Sequence, residues 1–161
     1  MTETHTTHSA EETRAWGKEL AGTILPGTLL CLTGDLGAGK TTLVQGLLDG
    51  LGAERPYVSP TFVIMKQYDL PTRQTGLPTQ QTGLPTTSAT GVKRIYHADA
   101  YRVGSKDFTE IGFAEWCADR DGLVILEWPE RITDILPEKR IDITLTSLSE
   151  TEREIRVSEK I

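Results

Sequence analysis

The eight residues Gly34-Asp35-Leu36-Gly37-Ala38-Gly39-Lys40-Thr41 fit the spacing G-x-x-x-x-G-K-[ST] at every specified position, the pattern of a loop that cradles a polyphosphate. Glycines at 34, 37 and 39 let the backbone bend so that successive N–H groups point inward at phosphate oxygens. A helix starting behind them adds favourable dipole charge. Lys40, read here as part of a solvent-facing loop, would reach the β- and γ-phosphates of ATP. The Thr41 hydroxyl would ligate a Mg²⁺ whose shell the phosphates complete. Asp35, Leu36, Gly37, Ala38, Gly39, Lys40, Thr41 and Thr42 are therefore the expected nucleotide contacts.

Phosphoryl transfer also needs a placed nucleophile and charge beside the metal. Ligands in open α/β sheets sit beyond the carboxyl ends of strands, and two acids lie at such ends. Glu127 follows the apolar run Leu123-Val124-Ile125-Leu126, the layout of a Mg²⁺-shell acid; its alternative is a strand-end acid facing solvent. Asp99 is expected to orient or deprotonate the attacking water, or to make an outer-shell contact to Mg²⁺; its alternative is a structural hydrogen bond to Arg102. Thr61, in Ser59-Pro60-Thr61, stands where nucleotide switches place a γ-phosphate or Mg²⁺ contact, against the alternative of a simple turn. His97 shares the face of Asp99 and reads as a packed, hydrogen-bonded residue. Trp128 either lies against the nucleotide or plugs the core. Lys40, Asp99 and Glu127 are thus the expected catalytic groups, and Thr41 and Glu127 the metal ligands.

These residues need strands before them and helices behind them. Leu29 to Thr33 is a run of buried-strand length, and Leu43, Val44, Leu47, Leu48 and Leu51 recur at helical spacing until Gly50 and Gly52 close the helix. Ser9 to Glu12 has capping-box spacing, which predicts a helix from about 10 to 21 with Thr13, Trp16, Leu20 and Ile24 on one face. The segments ending at Tyr68 and starting at Lys93 read as strands with nothing helical between them, hence an antiparallel pair. Ser105 or Asp107 would cap a helix running to about 118, with Phe108, Ile111, Ala114 and Ala118 on one side. Arg140 to Thr146 and Arg153 to Ser158 alternate like partly exposed strands at a sheet edge. The expected fold is a single α/β domain over 1–161, of the phosphate-loop NTPase class: a mixed sheet with a parallel core, antiparallel additions and helices on both faces.

A chain of 161 residues exceeds the roughly 70–80 below which a core needs staples. Its mean hydropathy of −0.28 is ordinary for a soluble protein, and no stretch approaches the ~20 apolar residues that cross a bilayer. The polar stretch from Met1 to Ser9 has no apolar signal core, so the expected location is the cytoplasm, with no membrane contact. Cys31 and Cys117 lack metal or redox spacing and read as reduced core thiols. A net charge of −6 argues against autonomous nucleic-acid binding. Leu-Pro-Thr recurs at 70, 77 and 84, inside a low-complexity stretch, 71–92, that reads as a disordered insert.

In order along the chain, Gly34 to Thr42, Ser59-Pro60-Thr61-Phe62, Tyr96-His97-Ala98-Asp99-Ala100-Tyr101-Arg102 and Leu126-Glu127-Trp128-Pro129-Glu130 resemble the motifs of the TsaE (YjeE) family over roughly 10 to 158. Members of that family are small bacterial ATPases of tRNA threonylcarbamoyladenosine biosynthesis. The resemblance implies Mg²⁺-dependent ATP hydrolysis in complex with the TsaB–TsaD pair, which performs the transfer, so that tRNA is met only through the complex. It places Lys40 and Thr41 on the phosphates and metal, matches Thr42 to the second threonine of the loop, and makes Asp99 and Glu127 the essential acids; the 71–92 insert is longer than the family's connection. A small-molecule or nucleoside kinase would share the phosphate loop, but needs an acceptor pocket and an Arg-rich lid, and the long loop carries only Arg73. A nucleotide switch with little hydrolysis is the third reading.

Overall fold

Alternation of the central strands decides the architecture. In β2 (Thr28–Thr33), Leu30 and Leu32 enter one apolar cluster and Leu29 and Cys31 another. In β5 (Gly122–Glu127), Leu123 and Ile125 join the first and Val124 and Leu126 the second. Strands apolar on both faces must be covered on both. The first cluster lies under helices α1 (Ala10–Ala21) and α2 (Lys40–Leu51), which pack on each other. The second lies under α3 (Ser105–Glu110) and α4 (Phe113–Ala118), which supply Phe108, Phe113 and Trp116. The computed structural model describes residues 2–71 and 90–161.

The remaining strands are β1 (Thr2–Thr7), β3 (Met65–Asp69), β4 (Arg94–Asp99), β6 (Arg140–Ser147) and β7 (Arg153–Lys160). The sheet order is β1-β7-β6-β2-β5-β4-β3. β6, β2, β5 and β4 form the parallel core, while β3 at one edge and β7 with β1 at the other are antiparallel. The expected mixed sheet and its antiparallel β3–β4 pair are present. Among the described residues no helix is long and apolar enough to cross a membrane.

Four local expectations change. The N-terminal segment is a strand, β1, paired along its length with β7. The helix expected from 105 to 118 is two, because Gly112 at φ 97° takes a left-handed conformation that restarts the helical phase; Phe113 and Trp116 are buried while Ile111, Ala114 and Ala118 are exposed. Gly104, not Ser105 or Asp107, caps α3, and its N–H donates to Asp107. Gly50 lies inside α2, where only Gly52 closes the helix at φ 78°.

The expected insert, 71–92, falls mostly outside the described residues; at its end Val92 is buried in the first cluster beside Leu70. Both cysteines are free, and burial pushes each thiol up to about 12, as expected for reduced core thiols.

Candidate phosphate-binding site

The loop between β2 and α2 is shaped by positive φ angles at Gly34, Gly37 and Gly39 (153°, 80° and 100°). A side chain at Gly34 would stand 2.5 Å from the Leu145 carbonyl oxygen of neighbouring β6. Thr41 is exposed and Thr42 half-buried at the first turn of α2, so both hydroxyls lie at the helix N-terminus where backbone N–H groups are free for an anion.

Lys40 is not solvent-facing. It is the first residue of α2 and only 6% exposed. Its ammonium donates to the carbonyl oxygens of Gly34 and, at 3.0 Å, Asp35. It also lies 4.3 Å from the centre of the Trp128 ring. The loop's own curvature creates this seat: the Lys40 ammonium serves the Gly34 carbonyl and shares the Asp35 carbonyl with the Ala38 N–H. Burial pushes the ammonium below its ordinary value, and Glu127, Glu130, Asp99 and Asp35 pull it back.

Asp99 and Glu127 end β4 and β5 and stand opposite each other in the parallel register. Both follow the alternation of Ile95 and Ile125, which puts them on the α2 side of the sheet. They are 5% and 6% exposed, so neither is a solvent-facing acid. Asp99 does not bond Arg102: Oδ2 accepts from Thr61 Oγ1 at 2.9 Å and Oδ1 from the Tyr101 N–H at 2.7 Å. Arg102 instead lies over the Phe62 ring. Thr61 sits in a 3-10 turn, Pro60–Phe62, and also shares a hydrogen bond with Ser59. Glu127 Oε1 is 2.7 Å from His97 Nε2.

Trp128 leaves β5 at φ 60°, a conformation rare for a bulky side chain and costing of order 1–3 kcal/mol. The bend lays the ring between the second cluster, Tyr101 and the Lys40 ammonium. It therefore touches the phosphate-loop lysine and packs on the core at once.

A cleft of about 420 Å³ opens from the loop at Gly37, Gly39, Thr41 and Thr42 and runs between Ser9–Thr13 and Glu150–Arg153. Arg153 reaches across from β7 to donate to the Gly37 carbonyl at 3.2 Å. Sequence reasoning missed this residue, since an arginine after the polar turn 147–151 carries no pattern of its own. Among the described residues no three His, Cys, Asp or Glu could hold a metal by themselves. Thr41 and Glu127 alone would therefore not complete a metal shell; Mg²⁺ at nucleotide sites ordinarily draws its other ligands from phosphate and water oxygens.

Residues 7–155 match the profile of the family described as threonylcarbamoyl adenosine biosynthesis protein TsaE. The chain belongs to the TsaE family. It is 36% identical over 149 residues to the tRNA threonylcarbamoyladenosine biosynthesis protein TsaE of Bacillus subtilis, covering 92% of this chain and 80% of that one. It is 34% identical over 151 residues to the TsaE of Treponema pallidum, covering 93% and 96%. A crystal structure of Bacillus subtilis YdiB superimposes with a TM-score of 0.71 at 30% identity, covering 100% of this chain and 87% of that one. The TsaE match spans the phosphate loop, Thr61, Asp99, Glu127 and Trp128, and ends beyond Arg153. The family is one of tRNA threonylcarbamoyladenosine biosynthesis.

Proposed function

We propose that this chain hydrolyses ATP with Mg²⁺ in support of threonylcarbamoyladenosine formation in tRNA, acting with the TsaB–TsaD pair, and does not itself carry out the transfer. The observation that carries the reading is the convergence of four parts: the phosphate loop, the Lys40 ammonium, the exposed Thr41 hydroxyl, and two buried acids side by side at the ends of β4 and β5.

Mg²⁺, when bound, would supply neutralisation of the charge developing on the phosphates. Thr41 Oγ1 and a Glu127 oxygen are the protein groups that would hold it. Backbone N–H groups of the loop Asp35 to Thr42 other than that of Ala38, which donates to the Asp35 carbonyl, would bind the polyphosphate, and Lys40 would exchange its loop carbonyls for phosphate oxygens. The nucleoside runs into the cleft beyond Thr42, walled by Arg153. Asp99 keeps a lone pair on each oxygen besides those used by Thr61 and Tyr101, enough to orient a water for attack in line with the leaving oxygen. Thr61 reads the γ-phosphate through its bond to Asp99.

The test is phosphate release from Mg·ATP by the chain alone and with the purified TsaB–TsaD pair, no small-molecule acceptor being present. Release that rises with the pair supports the reading. A kinase would need the acceptor, and a pure switch would release nothing.

A further inference from the structure

His97 lies one strand over from Glu127, on the same face of the sheet, with β4 and β5 in register at His97↔Ile125 and Asp99↔Glu127. The two side chains are 5% and 8% exposed and meet at 2.7 Å through Nε2 and Oε1. The other ring nitrogen, Nδ1, is sealed from solvent and has no partner; it is the one such side-chain atom among the described residues.

These contacts favour a proton on Nε2. A proton on Nδ1 would bury an N–H with nothing to accept it and turn the Nε2 lone pair against a carboxylate oxygen. A proton on Nε2 makes a charge-assisted bond to Glu127 and leaves only an unpaired acceptor. They also bear on why a histidine is here at all. A leucine would fill the space without an orphaned nitrogen, so packing does not account for the ring. The one bond that histidine makes and leucine cannot is the one to Glu127.

Resting on the reading of Glu127 as a Mg²⁺-shell acid, we propose that His97 is a positioning residue: its Nε2–H holds Oε1 in one rotamer and leaves Oε2 as the oxygen that enters the metal shell. Oε2 makes no hydrogen bond among the described residues, and it is not among their sealed, unpartnered atoms, so it keeps contact with solvent. Removing the donor frees the carboxylate to turn, and it binds the cation less well although no ligand has been lost. Partners of this kind are commonly worth roughly 10- to 100-fold in metal affinity.

The experiment measures, by calorimetry, the Mg²⁺ concentration needed for half-maximal binding of adenylyl imidodiphosphate, together with binding of the same analogue without Mg²⁺. His97→Leu is expected to raise the Mg²⁺ requirement by roughly 10- to 100-fold while Mg²⁺-free affinity is unchanged. His97→Gln, whose amide N–H reaches the position of Nε2, recovers most of the loss; His97→Asn, one methylene shorter, does not. In a Glu127→Gln background His97→Leu adds nothing, because its effect runs through the missing carboxylate.

Equal defects in His97→Gln and His97→Leu, a parallel fall in Mg²⁺-free affinity, or a shift that persists in the Glu127→Gln background would each overturn the inference. Should His97→Leu fail to fold, the Gln and Asn variants decide it alone. If Glu127→Gln leaves the Mg²⁺ requirement unchanged, the metal role of Glu127 falls and this inference with it. If Glu127→Gln shifts and His97→Leu does not, only the role of His97 falls.

Discussion

Replacing Lys40 by methionine separates ligand binding from fold stability, and the seat of the lysine sets the sizes. In the free protein the ammonium donates to the carbonyls of Gly34 and Asp35 and lies over the Trp128 ring. Hydrogen bonds to charged groups contribute about 1.5–3 kcal/mol each. Against this stands the burial that pushes the ammonium below its ordinary value, a penalty methionine does not carry. Gly34 is half-buried and Asp35 exposed, so water can replace the ammonium at their carbonyls. Methionine keeps an apolar stem and loses only the ammonium's place over the Trp128 ring. Both the removed burial penalty and water at the two carbonyls offset the lost bonds, and we expect Lys40→Met to lower unfolding stability by no more than about 3 kcal/mol, the low-end worth of two charged hydrogen bonds, in urea denaturation.

With nucleotide the balance differs, because phosphate oxygens lose a cationic partner that water replaces poorly. Two charged hydrogen bonds at the low end of that range come to about 3 kcal/mol, or about a hundredfold in affinity. Calorimetric titration with Mg·adenylyl imidodiphosphate reads this directly. Binding within about threefold of the parent, or unfolding weakened by more than about 3 kcal/mol, refutes the reasoning from which these sizes follow.

Asp99→Asn should keep Mg·ATP affinity within a few-fold and slow phosphate release by roughly a hundredfold, whereas Glu127→Gln should weaken Mg²⁺-dependent binding as well; the reverse pattern in titration and single-turnover assays swaps the two roles. Asp119 accepts from Arg94 and the Tyr96 hydroxyl, and the guanidinium holds its carboxyl below the ordinary 3.8. A depressed folded-state value gives stability that is present above the unfolded value and lost as pH falls. Asp119→Asn should therefore cost about 1.5–3 kcal/mol at pH 7, and the gap in urea midpoints should start to narrow as pH falls below about 4 and go on narrowing toward the depressed folded-state value; a gap that is unchanged or wider at about pH 2 contradicts this. A side chain on Gly46 would stand 2.1 Å from the Arg14 carbonyl oxygen, so Gly46→Ala should force α1 from α2 and lower stability by about 1–3 kcal/mol, visible as a lower Tm.

The centre of the molecule was legible in the sequence because strong local signals agree there. The phosphate loop needs a strand before it and a helix after it, and the apolar periods of Leu29–Thr33 and Leu43–Leu51 supply both. Glu127 and Asp99 were legible as strand ends. β1 was not, since the threonines of Thr2–Thr7 show no apolar alternation and the strand is held by backbone pairing with β7. The split of α3 from α4 rests on one glycine, and misreading it moved the buried face from Phe113 and Trp116 to Ile111, Ala114 and Ala118. Partner choice was least legible. Whether Asp99 bonds Arg102 or Thr61, and whether Lys40 faces water or its own loop, depends on contacts between elements far apart in the chain. Trp128 is the extreme case: its role turns on a backbone angle that a tryptophan adopts only under tertiary constraint.

Hydrolysis at this site is proposed to serve the modification of tRNA. The most direct measurement counts threonylcarbamoyladenosine formed per TsaB–TsaD pair in a reconstituted reaction with excess tRNA, threonylcarbamoyl donor and Mg·ATP, comparing the parent chain with Asp99→Asn. The parent chain is expected to give many products per pair, and Asp99→Asn, which holds nucleotide but turns it over roughly a hundredfold more slowly, far fewer in the same interval. Equal product from the two, with phosphate release differing as expected, would contradict that proposal.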